Sequence, residues 1–252
     1  MTKTVVAPGR ETDIIQLDLA DLADGQSWEQ SSEQETAVVI LSGEVDVEFE
    51  GKDAVPAGGR KSVFEAPGHT VYAPPGCPLR LTARGPAELA VASAAVGDGT
   101  AGSARVIGPE DQRIAEVGQS NWSRSVRTIL GPEHSAGRLL LGETINPPGN
   151  WSSYPAHKHD RQAPPEEVRL EEVYLFKVDP AGGFGVQLRY DDAGTEEAFF
   201  VRNDDAAAIR SGYHPVVAAP GYSLYYLWVM AGDGREMIPH FDPHHAWLQQ
   251  SR

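Results

Sequence analysis

Residues 150–160, Asn-Trp-Ser-Ser-Tyr-Pro-Ala-His-Lys-His-Asp, carry the side chains whose types and spacing best suit chemistry. Their centre is His157-x-His159. On a strand, residues two apart face the same way at roughly 6.5–7 Å, so two imidazoles can converge on one metal ion at about 2.0–2.1 Å each. A helix would turn them apart. Pro147, Pro148 and Pro155 break helices before the pair, and Pro164 and Pro165 after it. Residues 168–178 then read as a strand rich in Val, Tyr and Phe, with Glu171 and Glu172 near its start. These two carboxylates face opposite sides, so one of them can join the histidines. Further on, Ser211-Gly212-Tyr213-His214-Pro215 sets a histidine at the tip of a turn. Three imidazoles and one carboxylate suit a divalent transition metal such as Zn, Fe, Mn or Ni.

The order His-x-His, Glu on a strand, then a distant His in a Gly-x-His turn resembles the cupin metal site. The wording is closer to one family, the 5-deoxy-glucuronate isomerases of bacterial myo-inositol catabolism. Asn150-Trp151-Ser152-Ser153, His157-Lys158-His159-Asp160, Glu171-Glu172-Val173-Tyr174, Gly212-Tyr213-His214-Pro215-Val216 and His240-Phe241-Asp242-Pro243 all carry that likeness. It spans nearly the whole chain, most specifically from about Gly142 to Trp247 and more loosely before Gly108. The 4-deoxy-hexosulose-uronate isomerases of pectin breakdown share the ligand order without the Asn-Trp-Ser-Ser wording. Ala156 departs from the pattern, since a second proline is expected there; that alters loop stiffness and leaves the chemistry alone.

The resemblance implies an all-β bicupin, two tandem double-stranded β-helix (jelly-roll) barrels, at residues 1–103 and 104–252. It implies one divalent ion per chain, zinc first with Mn, Fe or Ni as alternatives, in the second barrel only. The implied ligands are His157, His159, Glu172 and His214, the glutamate being the one immediately before Val-Tyr. Glu171 is then a solvated charge or a supporting partner. The implied reaction converts 5-deoxy-D-glucuronate to 5-dehydro-2-deoxy-D-gluconate. In it a Lewis acid polarises the carbonyl and its neighbouring hydroxyl, a base removes the proton between them, and the proton returns one carbon along. Glu172, Tyr174, Lys158 and Arg189 are the candidate catalytic residues; Arg202, Tyr225, His240 and Asp242 are candidate substrate contacts. The base stays open among Tyr174, Glu143, Asp242 and a metal-bound hydroxide. An Fe(II) cupin dioxygenase on the same ligands, and a non-catalytic sugar-binding module, are the rival functions. Fold alone does not choose between them.

Short strands separated by Gly and Pro turns must position these residues, a pattern of barrels and sandwiches. In the first half they are expected at residues 12–22, 62–64, 70–77, 78–83 and 89–93, with a hairpin over 36–51. In the second they fall at 105–107, 126–130, 139–145, 168–178, 184–190, 197–201, 206–209 and 222–230. Residues 97–103, Gly-Asp-Gly-Thr-Ala-Gly-Ser, read as a flexible linker. Residues 240–248 read as loop or a short helix, with His244 and His245 in solvent. The first half lacks the ligands: Glu35 and Cys77 stand near where they would fall, and Cys77 reads as a small buried apolar residue.

The chain of 252 residues has one cysteine, no signal-peptide pattern at its start and no apolar run long enough for a membrane span. A cytoplasmic protein is the expectation, with a homo-oligomer left open. The net charge of −15 disfavours nucleic acid and anionic membrane as partners. It would also repel a deoxy-uronate substrate, so a local cation must override it. Lys158, Arg161, Arg124, Arg127, Arg189 and Arg202 are the candidates.

Overall fold

The stretch 36–51, expected to reverse as a hairpin, runs through one continuous strand, Gln34–Phe49, and ends in a turn. Gly43 explains the difference. Its φ of +85° is a conformation that suits glycine, and a Cβ there would meet the Pro86 carbonyl. The register shifts at this point, so the glycine bulges and bends the strand instead of reversing it. The first half of the strand then pairs with one set of neighbours and the second half with another.

This computed structural model describes residues 1–96 and 101–250. The chain divides into two compact units, Met1–Arg113 with Ile129–Leu141, and Ile114–Thr128 with Gly142–Arg252. Helical elements among the described residues are three short 3-10 turns, so the all-β expectation holds. The first-unit strands are β1 (Thr2–Val6), β2 (Gln16–Leu22), β3 (Ser27–Gln30), β4 (Gln34–Phe49), β5 (Val55–Arg60), β6 (Thr70–Ala73), β7 (Leu79–Ala83), β8 (Ala87–Ala95) and β9 (Arg105–Ile107). They form one sheet in the order β1-β2-β8-β4-β6-β9, with β5 and β7 on the outer half of β4 and β3 on β7. Val38, Ile40, Val45, Val47, Val71, Leu81, Leu89 and Val91 fill its core, and Cys77 packs against it half-buried. Burial pushes the Cys77 thiol up, which fits an inert side chain. Residues 62–64, expected as a strand, are a turn in which Ser62 Oγ accepts the Phe64 N–H at 3.1 Å.

The boundary falls ten residues later than the expected 103/104, because β9 pairs with β6. Residues 129–141 also belong to the first unit, and Glu35 explains it. This fully buried carboxylate accepts the Gly137, Arg138 and Leu139 N–H groups at 2.8, 2.5 and 2.8 Å, and the Tyr72 hydroxyl at 2.8 Å. Of the expected linker, residues 97–100 lie outside the described residues.

The later strands are β10 (Arg113–Val117), β11 (Arg124–Leu130), β12 (Leu140–Asn146), β13 (Trp151–Ser152), β14 (His157–Lys158), β15 (Leu170–Asp179), β16 (Gly185–Tyr190), β17 (Glu196–Val201), β18 (Ala206–Ile209), β19 (Val216–Ala218), β20 (Ser223–Gly232) and β21 (His240–Phe241). They make a six-stranded sheet, β10-β11-β12-β20-β15-β18, a four-stranded sheet, β13-β19-β16-β17, and the pair β14-β21. The tail expected as loop or helix thus contributes a strand, with His157 opposite Phe241 and Lys158 opposite His240. No helix of the described residues is long and apolar enough to cross a membrane.

Candidate metal centre

The antiparallel pair β15–β20 sets the parity of the site. Glu172 lies opposite Met230, Tyr174 opposite Trp228 and Phe176 opposite Tyr226. Side chains on one face of a strand recur every second residue, so Glu172 and Tyr174 share a face with Tyr226, Trp228 and Met230. That face lines a cavity of about 240 Å³ whose wall also holds His157, His159, Ser153 and Arg124. Glu171 takes the opposite parity. It is buried, which rules out the solvated charge and leaves the other expectation, a supporting partner, and it is not among the residues lining the cavity.

His159, Glu172 and His214, all buried, place ligand atoms within 4.8 Å of one another. The Nε2 atoms of His159 and His214 each stand 3.1 Å from the same Glu172 Oε2. Their other ring nitrogens face backbone carbonyls: His159 Nδ1 at 2.6 Å from Leu170 O, His214 Nδ1 at 2.9 Å from Gly212 O. A carbonyl only accepts, so each Nδ1 must carry the proton. In the neutral rings both Nε2 lone pairs then point at a carboxylate oxygen, and His214 Nε2 has no hydrogen-bond partner among the described residues. Lone pairs and an anion converge stably only on positive charge. A divalent cation meets that need, and the carbonyls fix the tautomer that ligation requires. The donor set fits the expected metal.

His157 stands beside this trio. Its ring centroid is 5.0 Å from that of His214 and 6.3 Å from that of His159. Burial and its two histidine neighbours pull its pKa down to about 3, so it is neutral. Burial pushes the Glu172 carboxyl up, but the adjoining His159 and His214 imidazoles prevail and hold it at about 2. Burial likewise lowers His159, and the Glu172 carboxylate more than offsets it, raising the imidazole. A proton and a metal compete for that lone pair.

These directions set a pH dependence. For His157 and Glu172 the folded values lie below the ordinary 6.5 and 4.5, so the unfolded chain binds more protons in the acid range. Stability of the metal-free protein is therefore expected to fall as pH drops from about 6.5 to 3 through His157, and from about 4.5 to 2 through Glu172. Urea unfolding of chelator-treated protein between pH 6 and 4, below the range where the raised His159 imidazole takes up its proton and opposes this trend, checks it; a midpoint that rises on acidification there would contradict it.

Tyr174 is buried in the cavity wall with its hydroxyl 2.7 Å from Ser153 Oγ. Burial, and then the Glu172 charge, raise its pKa well above 10, so it holds its proton. Several other expected site residues are placed elsewhere. Tyr225 has the wrong parity: it is fully buried and donates to Glu143 Oε1 at 3.0 Å, while its neighbour Tyr226 lines the cavity. Glu143 also meets Arg127 at 3.2 Å. Lys158 faces away from the histidines and holds Asp160 and Asp192 at 3.2 and 3.4 Å. Burial would lower its ammonium, but those carboxylates win and keep it charged. Arg189 pairs with Glu197 at 2.6 Å, and Arg202 stands 5.1 Å over the exposed Phe200 ring. Asp242 accepts the Tyr190 hydroxyl at 2.6 Å and braces the tail. His240 is half-buried on β21 and does not line the cavity, although its neighbour Pro239 does. Sequence reasoning passed over Ser153, Tyr226 and Trp228. The signal for the last two was available: pairing Glu172 and Tyr174 with the even-numbered residues of β20 selects them.

The family model for KduI/IolB matches residues 2–248. This chain belongs to the KduI/IolB family. A family relative from Geobacillus kaustophilus (strain HTA426), named 5-deoxy-glucuronate isomerase, is 40% identical over 234 residues, covering 92% of this chain and 84% of the relative. One of the same name from Bacillus subtilis (strain 168) is 37% identical over 238 residues, covering 93% and 87%. The crystal structure of an IolB-like protein from Salmonella typhimurium LT2 superposes with a TM-score of 0.93 at 33% identity, over 98% of this chain and 94% of that one. Outside the family, Lactobacillus farciminis oxalate decarboxylase has a TM-score of 0.69 at 10% identity, covering 100% and 86%. That likeness speaks for the cupin-type fold alone.

Proposed function

We propose that this KduI/IolB chain interconverts 5-deoxy-D-glucuronate and 5-dehydro-2-deoxy-D-gluconate in inositol breakdown, in the cytoplasm, with one divalent ion per chain. Zinc is the first choice, with manganese, iron or nickel as alternatives. The observation that carries this reading is the convergence of His159, His214 and Glu172 ligand atoms at the wall of the cavity that His159 and Glu172 line. It is joined to likeness, over most of both chains, to relatives that bear the isomerase name. His157 would complete the ligand set. A bound divalent ion supplies Lewis-acid polarisation of the substrate carbonyl and its adjacent hydroxyl.

The chain does the rest. Trp228, Met230, Leu170 and Ile238 give the cavity apolar walls. Tyr174 keeps its proton and, with Ser153 at its hydroxyl, can donate to a substrate oxygen. Ser152 and Tyr226, 2.5 Å apart, hold the neighbouring wall, and the Tyr174 and Tyr226 rings lie 4.4 Å apart. Glu143 and Asp242 drop out as bases, since neither lines the cavity and each is committed to a hydrogen-bond partner.

Chelation tests the metal requirement. Protein dialysed against EDTA is expected to lose isomerisation of the deoxy-uronate and to recover it with one equivalent of zinc. Full activity in verified metal-free protein would contradict the reading.

A further inference from the structure

We infer that Arg124 receives the carboxylate of the substrate in a two-point contact through its Nε–Nη2 edge. The inference rests on the isomerase reading for the identity of the acid, but the anion site itself rests on geometry. The chain carries a net charge of −15, so an anionic substrate needs a local cation at the site. Neighbouring cations are already neutralised: Lys158 by Asp160 and Asp192, Arg161 by Glu167 at 3.2 Å, Arg127 by Glu143 at 3.2 Å, and Arg189 by Glu197 at 2.6 Å.

Arg124 differs in each respect. No carboxylate pairs with it among the described residues. Its Nη1 donates to two main-chain carbonyls, Trp122 O at 3.1 Å and Tyr154 O at 3.0 Å, which fix the plane of the guanidinium. Its Nε is buried and has no partner among the described residues. A guanidinium has five N–H groups, and the pair of nitrogens Nε and Nη2 matches the two oxygens of a carboxylate. A buried donor left unmade is costly, and a cation without an anion more so. Burial accordingly pulls the Arg124 pKa below the usual arginine value. A substrate carboxylate would satisfy both deficits at once.

The position suits a chain molecule held at both ends. Arg124 and His157 line the cluster cavity, and both also line an adjoining cleft of about 740 Å³. A sugar whose carbonyl end lies at His159, Glu172 and His214 and whose other end points to the cleft must pass the guanidinium. A neutral sugar of the same length would leave the Nε–Nη2 edge unpaired, so the contact also sets specificity for acids.

The test compares 5-deoxy-D-glucuronate with 5-deoxy-D-glucose, in which an alcohol replaces the carboxylate, on metal-loaded wild type, Arg124→Gln and Arg124→Lys. A charge-assisted bidentate contact predicts that Arg124→Gln lowers kcat/KM for the acid by about 10- to 100-fold, mostly through KM. Turnover of the neutral sugar should fall less than about threefold, and Arg124→Lys should lie between. Equal losses on both sugars, or a lowered metal content, would mean that Arg124 only ties the Trp122 and Tyr154 segments together, and would overturn the inference. So would an unchanged preference for the acid. If wild type turns over neither sugar, the isomerase reading fails, and calorimetry with D-gluconate and D-glucitol decides the anion site separately. A gluconate preference lost in Arg124→Gln supports it; one retained in the variant, or absent from wild type, sinks it.

Discussion

Glu172→Gln is expected to lower turnover by at least about 10³-fold. Lewis-acid polarisation contributes several kcal/mol, and each 1.4 kcal/mol or so is a factor of ten. Glu172 Oε2 is the atom both Nε2 lone pairs approach, so the amide removes the negative charge that balances a divalent cation. Metal affinity should fall by more than about 100-fold, beyond the loss from removing a supporting hydrogen bond. The variant should stay folded by circular dichroism, because glutamine leaves no buried charge unpaired. Glu171→Gln, one residue away on the opposite parity, should keep its metal. The reverse order of effects would place the ligand on Glu171 and invalidate the register argument.

The largest stability effect is expected in the first unit, at Glu35. Its carboxylate satisfies the Tyr72 hydroxyl and the Gly137, Arg138 and Leu139 amides, and it is fully buried. Glu35→Ala leaves those donors without an acceptor. Each unmade buried hydrogen bond costs roughly 1–3 kcal/mol, and local rearrangement recovers part, so a net loss of about 4 kcal/mol is expected. That is a large share of the roughly 5–15 kcal/mol that holds a typical domain. Glu35→Gln, which keeps one accepting oxygen, should lose about half as much. Urea unfolding measures both; a loss below about 1 kcal/mol for the alanine variant would show that the segment 129–141 is held by something other than this carboxylate.

The candidate metal ligands were legible because the chemistry of ligation fixes residue type over short spacings. His157-x-His159, a glutamate before Val-Tyr and Gly212-Tyr213-His214 each survive as local motifs. What the sequence hid depends on distant partners. Arg124 and Arg127 read alike until Glu143 claims one and leaves the other with a buried Nε that has no partner among the described residues. Tyr225 and Tyr226 lie in a continuously apolar strand, where no polar alternation reveals which face is the cavity; only the register with β15 decides. Gly43 offered a turn signal, but a positive φ serves a bulge as well as a reversal. Glu35 looked like a failed ligand because the amides it binds lie about a hundred residues away in sequence.

A His/Glu-held metal ion is expected to drive isomerisation and not oxidation. The most direct measurement is a proton NMR time course of zinc-loaded protein with 5-deoxy-D-glucuronate in D2O, under argon and in air. The expected result is the same rate in both atmospheres, a product isomeric with the substrate apart from deuterium exchange, and a reaction that runs backwards from that product. A requirement for O2, a product heavier by oxygen, or binding without turnover would contradict it.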